Sequence, residues 1–181
     1  MSDIMTHILA RRSIRRYTDE PVSREQILEL LRAGMAAPSA SNRKPWEFVV
    51  VTEAEMLKKL RAGLIFGRYN APVSIVVCGN MKRALPSFAR DFWIEDCSAA
   101  TENILLAASG LGLGAVWIGV YPIGPLVRFV SHILALPEHV IPLCVVHVGH
   151  PAETKEPRTQ YEEERVFWQK YEPRKIHKPK P

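Results

Sequence analysis

The stretch IPLCVVHV, residues 141–148, is apolar at odd and even positions alike. Successive side chains of a strand point to opposite faces, so a strand with one wet face would alternate. An unbroken apolar run predicts a central strand covered on both faces. It needs sheet neighbours on either side and helices above and below. The β-branched and aromatic stretch 47–52 predicts one further strand, and 73–78 and 115–120 predict two more.

Between them lie the helices. Ser2 is placed to cap a first helix with Ile4, Met5, Ile8 and Leu9 on one face, ending in Arg11, Arg12 and Ser13. Ser23 followed by Gln26 makes a capping box ahead of Ile27, Leu30, Leu31 and Gly34, and this second helix stops before Pro38. Residues 53–64 and 126–134 predict two further helices. Over 90–109 a stripe of Trp93, Ile94, Cys97, Thr101, Ile104, Leu105 and Ala108 predicts a long central one. The elements describe a sheet sandwiched by helices, with one domain over residues 1–160. After Pro151 the chain turns polar, and Pro157, Pro173, Pro179 and Pro181 predict an extended tail over 161–181.

Several chemistries lack their usual motifs. Gly110 and Gly112 follow a helix and precede a strand, the reverse of the order in a dinucleotide-binding turn, so they read as a helix stop. His147 and His150 stand at odd spacing on or beside a strand, which sends their side chains to opposite faces, and no metal site is expected. Cys78, Cys97 and Cys144 are widely spaced among apolar neighbours and read as small buried hydrophobes. GxSxG, HExxH and GxxxxGK[ST] do not occur. No apolar run reaches the roughly 20 residues of a membrane span, and MSDIMTHILARRS lacks the apolar core of a secretory signal, which points to the cytoplasm.

A net charge of +5 predicts an anionic partner. Part of the excess lies in the terminal RKIHKPKP, and part in the knot Arg11, Arg12, Arg15 and Arg16, where a helix gives way to extended chain. Such a cluster with Ser13 can hold a phosphate through charge-assisted hydrogen bonds, or can be a solvated basic helix end. A basic nucleic-acid-binding module is the alternative from another class, although no nucleic-acid motif accompanies the charge. Residues 38–46, PSASNRKPW, set short hydroxyl and amide side chains between two prolines, a stiff polar loop suited to a planar ligand edge.

Taken together and in order, RRSIRRY, APSASNRKPWEFVVV, GLGAVWIGVYP and GHPAETKEPR resemble the nitroreductase family across nearly the whole chain. The resemblance implies an α+β fold with a central mixed sheet, an intertwined homodimer, FMN as cofactor and NAD(P)H as electron donor. By position it implies that Arg11, Arg12, Ser13 and Arg15 grip the FMN phosphate and ribityl chain or ring edge. Pro38, Ser39, Ala40 and Asn42 then approach the ring from the partner subunit. Backbone at Trp117, Ile118 and Gly119 lines the ring, and Arg158 is the late basic residue on the phosphate. Many members carry a second basic residue where Gln160 stands, and some place a Lys near Gly67 and Arg68. Phe88, Phe92 and Trp93 fall in the variable region that lids the family's pocket, though core aromatics would look the same. The implied activity is a ping-pong transfer from NAD(P)H through FMN to nitroaromatics, quinones or similar flat acceptors. Flavin-cleaving and dehalogenating relatives are the alternatives within the family.

Overall fold

Ser23 caps as its spacing requires: its side chain accepts from the Gln26 N–H while the Gln26 side chain accepts from the Ser23 N–H, at 3.1 and 2.9 Å. The computed structural model describes residues 3–172, so Ser2 and residues 173–181 of the expected tail lie outside the described residues. Among the described residues nine α-helices and strands follow in order: α1 (Asp3–Ala10), α2 (Arg24–Met35), β1 (Trp46–Val51), α3 (Ala54–Gly63), β2 (Val73–Asn80), α4 (Phe92–Gly110), β3 (Gly114–Gly119), α5 (Gly124–Ile133) and β4 (Val140–Gly149). Residues 161–172 hold only a short 3-10 turn, Glu163–Arg165.

The strands form one sheet in the order β1-β2-β4-β3, which places β4 inside it. All three strand pairings are antiparallel. The expected mixed character is confined to one parallel bridge, Ser13 to Ala115, where the first basic motif meets β3. Pro142 would be out of place in a regular central strand because it has no N–H to give. A bulge accommodates it: Val77 faces Cys144 and Cys78 faces Pro142, leaving Leu143 unpaired with β2. The freed Leu143 carbonyl accepts from both Val120 and Tyr121 N–H at 3.1 and 3.0 Å, which closes the end of β3.

Each face of the sheet has its own core. Ile75, Val77, Cys144, Val146 and Val148 point towards α2 and α4, where they meet Leu30, Trp93, Cys97 and Ile104. Val76, Cys78, Val116, Ile118 and Val145 point the other way, against Leu57, Leu60 and Leu64 of α3 and its end and Leu126 and Val130 of α5. All three cysteines are fully buried, and burial pushes the thiols of Cys78 and Cys144 up to about 12, leaving them inert hydrophobes.

The glycines after α4 act as a stop. Gly112 sits at φ +72°, its N–H donates to Ser109 O, and Leu113 N–H reaches back to Ala108 O at 2.8 Å. These paired bonds satisfy the last helix carbonyls and turn the chain into β3.

Candidate functional site

Residues 12–18 leave α1 in extended form and lie against both β3 and the segment after β4. Ile14 N–H donates to Ala115 O at 3.0 Å, Thr18 N–H to His150 O at 2.9 Å, and Ala152 N–H to Arg16 O at 2.9 Å. Tyr17 pins the turn from inside, its buried hydroxyl donating to Ile14 O at 2.6 Å. The first and last of the four motifs are therefore neighbours in space.

Side chains tighten the junction. Glu153 accepts from the Arg15 N–H at 2.6 Å and pairs with Lys155 at 3.2 Å, while Lys155 Nζ donates to Ser13 O at 2.6 Å. The Arg15 N–H, with Lys155 beside it, holds the Glu153 carboxyl below the usual carboxylate range. Arg12 donates to the carbonyl of Glu156, and Arg158 N–H donates to Leu9 O at 3.2 Å. Arg11 pairs with Glu102 of α4 at 3.1 Å. A cavity of 240 Å³ opens here, with Arg11, Arg12, Ser109, Glu153, Thr154 and Lys155 in its wall.

A second cleft of 280 Å³ lies across β3, lined by Arg15, Leu64, Ile65, Phe66, Tyr69 and the stretch Val116–Gly119. Its character follows from β3 being an edge strand. Peptide groups alternate sides along a strand, and Ala115 O already faces outward to Ile14, so the N–H groups of Trp117 and Gly119 face the open edge. A Cβ built on Gly119 would meet no atom within 4 Å. Apolar walls, an arginine at the mouth and outward N–H donors suit a flat ring with polar edges.

Pro38, Ser39, Ala40 and Asn42 lie elsewhere. Their loop leads into β1 and is tied to the N-terminal half of α4 by the Ala40 N–H, which donates to Asp96 Oδ1 at 2.7 Å. Lys44 N–H donates to Ser39 Oγ, and Ser41, Asn42 and Lys44 all adopt positive φ, between 48° and 54°. A loop held this firmly in a costly backbone conformation has a shape to present. The basic cavity touches α4 at Leu105 and Ser109, roughly 13 to 20 Å further along the helix at 1.5 Å per residue. Within one chain the loop and the arginines stand apart.

Of the expected pocket aromatics, Phe88 and Phe92 are exposed, but Trp93 is corrected to the core. It is 2% exposed, packs edge-on to Tyr121 with centroids 5.0 Å apart, and covers Gly79 so closely that a Cβ there would lie 2.3 Å from its ring. Arg68 lines a recess beside the cleft instead of the cleft itself.

Glu153, Lys155 and Tyr17 carry no local signal in the sequence that sets them apart as contacts of this junction. Asp96 carried a signal, a carboxylate within the apolar stripe of α4 and beside Cys97. Among the described residues no helix is long and apolar enough to cross a membrane.

The model of the Nitroreductase family matches residues 8–66 and 66–150. A protein of Archaeoglobus fulgidus, provisionally named NADH dehydrogenase/NAD(P)H nitroreductase, is 46% identical over 158 residues, covering 86% of this chain and 90% of its own. An FMN reductase [NAD(P)H] of Bacillus subtilis is 32% identical over 182 residues, covering 90% of this chain and 72% of its own. A crystal structure from Desulfovibrio desulfuricans, provisionally a nitroreductase and in complex with FMN, superposes with a TM-score of 0.79 at 31% identity, covering 95% of this chain and 99% of that one.

Proposed function

Because the chain belongs to the nitroreductase family, we propose that it is an FMN-dependent oxidoreductase that takes reducing equivalents from NAD(P)H and passes them to flat acceptors such as nitroaromatics or quinones. The observation that carries this reading is the pair of cavities on either side of β3. One gathers Arg11, Arg12 and Lys155 against the single carboxylate of Glu153, and the other is apolar with N–H donors along its edge. These residues fit FMN.

When bound, FMN would supply the redox chemistry that couples NAD(P)H oxidation to acceptor reduction in a ping-pong sequence. The chain's residues bind, orient and exclude water. Arg11, Arg12, Ser13 and Arg158 would hold the phosphate, and Arg15, in the wall of the cleft, would meet the ribityl chain or ring edge. Backbone N–H donors in Trp117–Gly119 would stabilise negative charge at the ring edge. Leu64, Ile65 and Phe66 keep water from one wall.

The site is completed in a homodimer, where the loop Pro38–Asn42 of one protomer closes the cleft of its partner. Supporting this are the separation of loop and arginines along α4 and the exposed apolar side chains Ile4, Phe88, Trp168 and Tyr171, 67 to 91% accessible in the single chain. The reading places the enzyme in the cytoplasm and assigns it no metal, nucleic acid or membrane partner.

The test is a visible absorption spectrum of protein reconstituted with FMN and dialysed, then exposed without oxygen to NADH and to NADPH. Retained flavin that bleaches supports the reading. Retained flavin that stays oxidised favours a flavin-cleaving relative or an inert carrier. Colourless protein that binds oligonucleotides in a salt-sensitive way overturns it.

A further inference from the structure

Beside the cleft lies an open recess of 480 Å³ lined by Lys58, Arg61 and Ala62 of α3 and by Arg68, Tyr69 and Asn70 of the connection to β2. Three cations and no carboxylate line it. None of the three forms an ion pair among the described residues. Like charges gathered without a counter-charge repel one another, and a bound anion removes that cost.

The recess is built on fixed parts. Arg61 donates through Nε to Leu57 O at 3.2 Å and through Nη1 to Tyr69 O at 3.0 Å, so its guanidinium ties α3 to the loop. The Tyr69 ring stands edge-on to buried His147, with centroids 6.3 Å apart and planes at 88°. Arg68 has only a long contact, Nη2 to Ala62 O at 3.5 Å, and Lys58 makes no hydrogen bond or ion pair among the described residues. One anchored guanidinium therefore stands beside two cations free to close on an anion, an arrangement suited to phosphate oxygens.

Location narrows the ligand. Tyr69 is a wall of both the recess and the cleft, so a molecule with a flat ring in the cleft can set an anionic arm in the recess. We propose that the recess binds a phosphate of the nicotinamide dinucleotide, with Lys58 and Arg68 as its specificity-determining contacts. This rests on the proposed function, which brings that nucleotide to the cleft. The phosphate is either the 2′-phosphate that only NADPH carries or the pyrophosphate that NADH shares.

The experiment compares FMN-loaded wild type with Lys58→Glu, Arg68→Glu and the double variant. Binding of 2′,5′-ADP and of 5′-ADP is measured by calorimetry, and KM for NADPH and NADH by anaerobic reduction. The double variant should bind its probe at least tenfold more weakly and show a matching rise in KM. A loss confined to 2′,5′-ADP and NADPH assigns the recess to the 2′-phosphate, and an equal loss for both nucleotides assigns it to the pyrophosphate. Unchanged probe binding and KM in a variant whose flavin still bleaches would overturn the inference. Wild type that retains flavin but bleaches with neither nucleotide, and binds neither probe, would overturn both it and the functional reading beneath it.

Discussion

The Nε2 of His147 lies 2.9 Å from the carbonyl oxygen of Gly67, and its Nδ1 lies 2.8 Å from Ser74 Oγ. A carbonyl can only accept, so Nε2 carries the proton and Nδ1 accepts from the serine hydroxyl. A fully buried neutral ring on β4 thus holds the loop whose neighbours Leu64, Ile65, Phe66 and Tyr69 line the cleft. His147→Leu fills the space but leaves Gly67 O and the Ser74 hydroxyl without this partner. The expected cost is about 2–4 kcal/mol, a fall in Tm of roughly 4–16 °C. Thermal unfolding at neutral pH checks it, and a fall under about 2 °C would refute the latch.

The same ring sets a pH dependence. Burial lowers the His147 pKa below its ordinary 6.5, so between the two values the unfolded chain binds a proton that the folded chain does not. The contribution to stability is complete above the ordinary histidine value and is lost as pH falls below it, down to the folded value. Tm measured from pH 7.5 to 5.5, conditions chosen as about one unit either side of that ordinary value, should drop less steeply in His147→Gln than in wild type. Equal slopes would remove His147 as the cause.

Gly114 tests the join between the first motif and β3. A Cβ there would lie 2.6 Å from Ile14 Cγ2 and 2.8 Å from Ile14 Cβ, so Gly114→Ala must push Ser13 and Ile14 off the strand. FMN dissociation measured by fluorescence should become at least several-fold more favourable. Gly110→Ala is the control, since its Cβ would meet nothing within 4 Å, and it should leave both Tm and flavin affinity near wild type.

Much of this was legible because it is local or periodic. The apolar run 141–148 sufficed to place β4 inside the sheet, and Ser23 with Gln26 sufficed for the start of α2. Other features depend on which distant backbone arrives opposite. Trp93 belongs to the core because Gly79, on a strand running beside the helix, leaves room for its ring. Glu153 matters because residues 12–18 lie alongside 150–153, a pairing no local spacing encodes. The tether from Ala40 to Asp96 likewise spans a long stretch of chain, although a carboxylate on an apolar helix face hinted at it.

Arg12 and Arg158 separate anchoring from binding. Arg12 is half-buried and donates to Glu156 O, so Arg12→Ala should weaken flavin binding and also loosen the last segment. The Arg158 side chain is exposed, and Arg158→Ala should change stability by no more than about 0.5 kcal/mol while lowering FMN retention. Equilibrium dialysis alongside thermal unfolding reads both. Full flavin occupancy in Arg158→Ala would remove that residue from the phosphate site.

Asp96, itself not proposed to touch flavin, offers a test of the two-chain site when paired with Arg12. Its carboxylate holds the Ala40 N–H at 2.7 Å, and burial raises its pKa while that bond opposes the rise. Asp96→Ala frees a loop with three residues at positive φ, which should relax away from its present shape. If the loop closed its own protomer's cleft, mixed dimers of Asp96→Ala with Arg12→Ala would hold no intact site when both lesions fall on different chains. If it closes the partner's cleft, one site in such a dimer collects both lesions and the other collects none. Mixed dimers, formed by co-expression with two tags, should therefore hold close to half the wild-type flavin, against little in either parent. Flavin no higher than in the parents would refute closure in trans.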